Sequence, residues 1–275
     1  MKRFFKAIAV VSVLVSAFAL VGCGGRNDDT VLVAGATAVP HYEILLQVVD
    51  VMAEKGFELQ LREFSDFSTP NPALQDGSID VNFFQHRPFL DSFNANSGAG
   101  LVPVFGVHFE PLRVYAGRLD SIDNIPHGAI VAIPNDPTNE ARALQLMEFL
   151  GLITLYEATR GTASATTGIA SNPYGIVFRP VVAQTLPSVL PDVDLAVING
   201  NVALQGGVMH LAIDGAGEDL DPNARTTFTN YVVVRSGYEN DPRVLALIDA
   251  LNTDEIRAFI ESEYLGRVVP TFIFP

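Results

Sequence analysis

The sequence is short of cysteine, of cations and of long apolar runs, and each shortage removes a class of function. One cysteine in 275 residues, Cys23, excludes a disulfide framework and a cysteine-based zinc cluster. Lysine and arginine number 17 against 31 aspartates and glutamates, a formal charge of −14. Phosphate backbones are neutralised by clustered cations, so no nucleic-acid partner is expected. Charged residues make up only 17% of the chain and hydrophobic ones 48%, which excludes a disordered protein. The histidines, His41, His86, His108, His127 and His210, are dispersed, with no pair at i, i+4, so neither a metal site nor a cofactor is expected. His108 with Glu110 mimics an acid–base pair and Ser164 lies among small residues. There is no Gly-x-Ser-x-Gly elbow and no nucleophile with a partnered base, so the chain is not expected to be an enzyme.

The longest apolar stretch, Ala7 to Leu20, follows Lys2, Arg3 and Lys6 and ends in Leu20-Val21-Gly22-Cys23. At about fourteen residues it falls short of the roughly 20 that cross a bilayer, and small residues close it. Residues 1–22 therefore read as a signal peptide. The ending resembles a bacterial lipobox, which implies acylation of Cys23 and cleavage before it; losing the three cations takes the charge from −14 to −17. Acyl chains contribute about 0.8 kcal/mol per buried methylene, enough for two or more to hold a protein on a membrane. Residues 23–30 are then the lipidated cysteine and a small, polar tether. The body beyond residue 30 is expected to be exported, facing the extracytoplasmic side.

That body alternates strand and helix patterns. Strands are expected at Val31–Ala36, Phe57–Phe64, Ile79–Phe84, Val102–Phe109, Leu112–Ala116, Ala129–Ile133, Val193–Val197 and Asn230–Arg235. Helices are expected at His41–Lys55, Asn71–Asp76, Pro88–Asn96, Pro137–Gly151, Asn199–Gly206, Pro242–Leu251 and Thr253–Glu263. Gly161–Arg179, rich in Thr, Ser, Ala and Gly, reads as an irregular insertion. The alternation implies an α/β protein with mainly parallel sheets covered on both faces. Two such blocks, with C-terminal elements able to return to the first, suggest two lobes around a cleft: residues 31–112 plus 231–275, and residues 113–230. Ligands of open α/β sheets sit beyond the carboxyl ends of the strands, so the residues just after each strand are the place to look.

Four ordered stretches, Phe64-Ser65-Asp66-Phe67, Asp76 through His86, Phe109-Glu110-Pro111 and Ala132 through Glu140, together with Val268-Val269-Pro270, resemble the NlpA/MetQ family. These are the lipoprotein substrate-binding components of methionine ABC importers. The resemblance runs from about residue 31 to the C-terminus. It implies a two-lobed periplasmic-binding-protein fold, type II-like, that closes on a free amino acid, usually L-methionine, and presents it to a membrane permease. The residues themselves point to a compatible site. A free amino acid needs a cation for its carboxylate, acceptors for its ammonium and, for methionine, apolar walls. Arg142 supplies the cation: Asp136-Pro137 caps a helix after a strand, and helical side chains lean back toward that N-terminus. Its competing role is a surface pair with Glu140 or Glu148. Period-2 alternation puts Phe83 in the core and Phe84 in the cleft.

By the resemblance, Arg142 holds the ligand carboxylate and Phe67, Phe84, His86 and Phe89 form the aromatic wall. His86 is expected near the ligand's polar end. The family often has tyrosine where this chain has Phe67 and Phe89, so D-methionine, a methionine-containing dipeptide or another hydrophobic amino acid is the alternative cargo. Asn199 and Asn230 correspond to asparagines that contact ammonium and carboxylate, with Asn201 a competing choice for the first. His41 and Tyr42, beside Pro40, are expected to line the opening after the first strand.

Overall fold

The computed structural model describes residues 29–275; the expected signal peptide, Cys23 and most of the tether lie outside the described residues. In chain order the strands are β1 (Val31–Thr37), β2 (Glu58–Phe64), β3 (Val81–His86), β4 (Leu101–Phe109), β5 (Arg113–Ala116), β6 (Ile130–Pro134), β7 (Thr154–Leu155), β8 (Ile169–Ser171), β9 (Val177–Val181), β10 (Leu195–Ile198), β11 (Ala212–Gly217), β12 (Thr229–Arg235) and β13 (Val269–Ile273). Two sheets dominate. One has the order β13-β4-β12-β3-β1-β2 and the other β11-β5-β10-β6-β9. The chain thus crosses between sheets after β4 and again before β12, and each sheet anchors one lobe of an α/β structure. Thr229 and Asn230, at the expected end of the second lobe, belong to β12 of the first sheet, where Asn230 pairs with His86 and His108.

The sheets are mixed, which corrects the expectation of mainly parallel ones. β1 runs parallel to β2 and β3, and β6 parallel to β9 and β10, while β12, β4, β13, β5 and β11 pair antiparallel. For β5 and β12 the cause is the double crossing: a strand delivered from the other lobe enters without a βαβ connection and is free to run the other way. Gly161–Arg179, expected to be irregular, contains β8 and the start of β9. β9 is a sheet edge, where Pro180 costs no ladder bond, and its exposed residues hid the strand pattern. The expected helix His41–Lys55 is broken into a turn at Ala38–Tyr42 and short helices Glu43–Leu46 and Val49–Glu54. Its apolar face nevertheless survives, with Ile44, Leu45, Val48 and Met52 fully buried.

Packing separates the two adjacent phenylalanines as the alternation requires. Phe83 joins a core of Leu32, Leu45, Phe105, Val232 and Leu247, while Phe84 is buried on the other face, toward the gap between the sheets. His86 ends β3 and caps the helix Arg87–Ser97, its Nδ1 accepting from Phe89 N. That helix stops at Gly98, whose φ of 69° favours glycine. Truncating Phe83 to alanine removes a fully buried ring, and we expect a loss of about 3–5 kcal/mol. Urea unfolding measures it; a loss below about 1 kcal/mol would contradict this placement of the core.

Candidate functional site

A small pocket lies between the two sheets. All seven side chains singled out from the sequence line it: Phe67, Phe84, His86, Phe89, Arg142, Asn199 and Asn230. Gln85, Glu110, Asn139 and Asn201 join them, and Asn139 and Gln85 were not foreseen.

The apolar part is a cage of three rings. Phe84 and Phe89 meet edge to face at 5.6 Å, and Phe67 stands 6.3 Å from Phe84 and 6.4 Å from Phe89. Phe84 comes from β3 and Phe89 from the first turn of the next helix. Phe67 sits in a loop that Asp66 organises by accepting from the backbone N–H of Ser68 at 2.7 Å and of Thr69 at 2.8 Å. From there its ring packs on the core of the second lobe.

The polar part is built around Arg142. Asp136 caps the helix Pro137–Phe149 through Asn139 N at 3.0 Å, and Arg142 is 3% exposed on that helix. Its Nε donates to Glu218 Oε1 at 2.8 Å, and its Nη2 to Glu218 Oε2 at 2.6 Å and to the Glu110 carbonyl at 2.9 Å. The guanidinium also stacks 4.1 Å from the Phe228 ring centroid. Glu218 is therefore the charge partner, in place of the Glu140 or Glu148 weighed from the sequence. Glu140 bonds Ala165 N and Glu148 bonds Leu155 N and Arg160. Nη1 makes no hydrogen bond among the described residues, so one edge of this cation is open.

Asn139 links the lobes. Its Oδ1 accepts from His86 Nε2 at 3.2 Å and from Asn199 Nδ2 at 2.9 Å. Both ring nitrogens of His86 are thereby used, which corrects the expectation that His86 meets the ligand's polar end; it contributes its ring and holds Asn139. Asn199 Oδ1, by contrast, is buried with no partner. An orphaned carbonyl oxygen in a pocket wall is the mark of a missing donor. Asn201 also lines the pocket, and its backbone N–H donates to Glu110 Oε2 at 3.0 Å. The close approach depends on Gly200, where a Cβ would stand 3.1 Å from Glu110 Cβ.

The dispersion of histidines seen in the sequence does not survive folding. His41, His108 and Glu110 gather their ligand-type atoms within 4.8 Å of one another, all buried. His108 Nε2 and Glu110 Oε1 are hydrogen-bonded at 2.6 Å, closer than the ~3.3 Å separating donors around a tetrahedral ion with ~2.0 Å bonds. This arrangement is a proton-linked cluster under the pocket. His41 lies beneath the pocket rather than at its opening, and Tyr42 packs against the core of the first lobe. Burial pushes His41 down to about 4 and His108 to about 3. Burial, with Arg142 nearby, takes His86 to about 3. Desolvation raises the Glu110 carboxyl.

Two α/β lobes joined by paired crossings, with a pocket walled by both, define a two-lobed substrate-binding protein. The chain belongs to the NlpA lipoprotein family, whose model matches residues 32–272. It is 36% identical to the membrane lipoprotein TpN32 of Treponema pallidum (strain Nichols), over 91% of each chain. It is 32% identical to the D-methionine-binding lipoprotein MetQ of Escherichia coli (strain K12), over 96% of this chain and 97% of that one. A solved nutrient binding protein from Burkholderia cenocepacia bound to methionine matches with a TM-score of 0.81 at 34% identity, covering 88% of this chain and 100% of that one.

The buried histidines make stability pH-dependent. Their folded pKa values lie below the ~6.5 of an unfolded histidine, so the unfolded chain binds more protons as pH falls. Stability conferred by the neutral rings is full above about 6.5 and is lost as pH drops through about 4 for His41 and about 3 for His86 and His108. We expect the urea midpoint to fall between pH 6.5 and 4; a midpoint flat across that range would contradict neutral burial of these rings.

Proposed function

We propose that this chain is the extracytoplasmic binding component of an ABC importer, that it takes a free amino acid, L-methionine, and that it is a carrier and not an enzyme. In this reading residues 1–22 are removed and Cys23 carries the lipid that holds the protein to the membrane. The described residues contain no helix long and apolar enough to cross a membrane, which leaves attachment to the acylated cysteine.

The observation that carries the reading is the unpartnered Asn199 Oδ1, buried in the same pocket as the open Nη1 edge of Arg142. The first calls for a donor and the second for an acceptor, and an amino acid's ammonium and carboxylate are such a pair. Charge agrees: Glu218 already neutralises Arg142, and Glu110 adds a carboxylate, so the site suits a zwitterion better than a simple anion. The three phenylalanines offer a wall on which a thioether packs at about 0.3–1.5 kcal/mol per contact. Phe67, Phe84, His86 and Phe89 come from one lobe and Arg142, Asn139 and Asn199 from the other. A ligand touching both sets stabilises the shut form. D-methionine is the second reading, favoured by the binding named for the Escherichia coli relative and by a ring cage without hydroxyls.

Calorimetry with the chain lacking residues 1–23 tests this. L-Methionine is expected to bind and N-acetylmethionine to fail, because acylation removes the ammonium. Arg142→Ala is expected to cost about 2–5 kcal/mol of binding. Phe84→Ala is expected to weaken methionine more than alanine. Equal affinity for free and N-acetylated methionine would contradict the assigned polarity, and preference for the D-isomer would select the second reading.

A further inference from the structure

Beneath the pocket lie four polar side chains that the binding account does not use directly: Thr37, His41, His108 and the inner oxygen of Glu110. His41 Nδ1 is 2.9 Å from Thr37 Oγ. His41 Nε2 is 3.2 Å from Asn230 Oδ1 and 3.3 Å from Glu110 Oε1. His108 Nε2 lies 2.6 Å from the same Glu110 oxygen, and His108 Nδ1 is buried with no partner.

These contacts bear on where the protons are. With Glu110 as a carboxylate the nitrogen facing it donates, so we assign the His41 proton to Nε2 and let Nδ1 accept from the Thr37 hydroxyl; the Val39 backbone carbonyl is the competing acceptor for the ring proton. A cationic His108 would bury an N–H with no acceptor, so that ring is neutral and its one proton goes to Glu110. With His41 Nε2 donating, the amide of Asn230 is set as well. Oδ1 turns to His41 and Nδ2 is left as a donor, its one acceptor among the described residues being Phe228 O at 3.5 Å. The opposite flip would place two donors face to face.

We propose that Thr37 and His41 are positioning residues that set the polarity of the pocket: through the Nε2 proton they hold Asn230 with its NH2 toward the ligand and Glu110 as an anion, so that the ligand's carboxylate, and not a neutral group, is selected at Asn230. This rests on the amino-acid reading of the pocket. The other groups around Glu110 are consistent with it. Arg142 donates to the Glu110 carbonyl with Glu218 on its far side, and Asn201 N donates to Oε2. Tyr264, within electrostatic range of Glu110, donates its hydroxyl hydrogen bond to Glu43 Oε2 at 2.7 Å. None supplies a second donor to Asn230 Oδ1, so the choice of flip depends on His41.

Two measurements test the inference. In the ligand-free protein at neutral pH, long-range proton–nitrogen correlation of the imidazoles is expected to report the Nε2–H tautomer for His41; the Nδ1–H tautomer or a cationic ring would overturn it. In calorimetry the readout is the ratio of Kd for methioninamide to Kd for methionine. Removing the donor in His41→Phe leaves Asn230 free to flip and is expected to shrink that ratio about tenfold. His41→Gln, whose amide N–H stands where Nε2 does, is expected to restore it. Thr37→Val is the second variant should His41→Phe not fold, and a smaller shift in the same direction is expected. Equal weakening of both ligands by His41→Phe would show a merely structural histidine and overturn the inference alone. A wild-type chain that binds no free amino acid would overturn the functional reading and this inference together.

Discussion

A buried guanidinium is tolerated only when its charge is met, and the site is organised around how Arg142 is met. Glu218 takes two of its three nitrogens and also accepts from Leu112 N at 2.8 Å, while the Glu110 carbonyl takes a further bond from Nη2. Glu110 and Leu112 belong to the first crossing between the sheets and Glu218 to the second. One cation therefore ties together the two segments that join the lobes and leaves its remaining edge in the pocket. Burying such a pair adds little net stability, since desolvation offsets most of the attraction. What it supplies is geometry: a charge held in place where the two crossings meet.

The lobes meet through few but specific polar contacts. His86 from the first lobe donates to Asn139 of the second, and Glu110 accepts from Asn201 N while two histidines of the first lobe hold its other oxygen. The Phe67 ring lies across the same gap. Each of these groups either lines the pocket or bonds one that does. The contacts between the lobes and the lining of the pocket are therefore largely the same groups, and in the proposed function an amino acid completes the bonds left open at Asn199 Oδ1 and Arg142 Nη1.

Local pattern made part of this visible in the sequence. Alternation separated Phe83 from Phe84 because β3 obeys a strict period of 2, and Asp136-Pro137 announced the helix that carries Arg142 because capping is a local interaction. The family resemblance supplied Asn199 and Asn230, which no pattern singles out. Glu218 was invisible for a physical reason: it stands 76 residues from Arg142 at the start of a single 3-10 turn, and a charge pair has no periodicity. The same holds for His41, 189 residues from Asn230, and for the antiparallel strands β11, whose glycines blur a strand pattern, and β13, which is short and carries Pro270. Local structure could be read from the chain, but which distant polar groups close on one another could not.

The most direct test is a crystal structure of the protein grown with L-methionine. The account predicts the ligand ammonium within about 2.7–3.2 Å of Asn199 Oδ1, its carboxylate on Arg142 Nη1 with the Arg142–Glu218 pair intact, and its thioether among Phe67, Phe84 and Phe89. A ligand seated outside this pocket, or one whose carboxylate displaces Glu218 from Arg142, would contradict it.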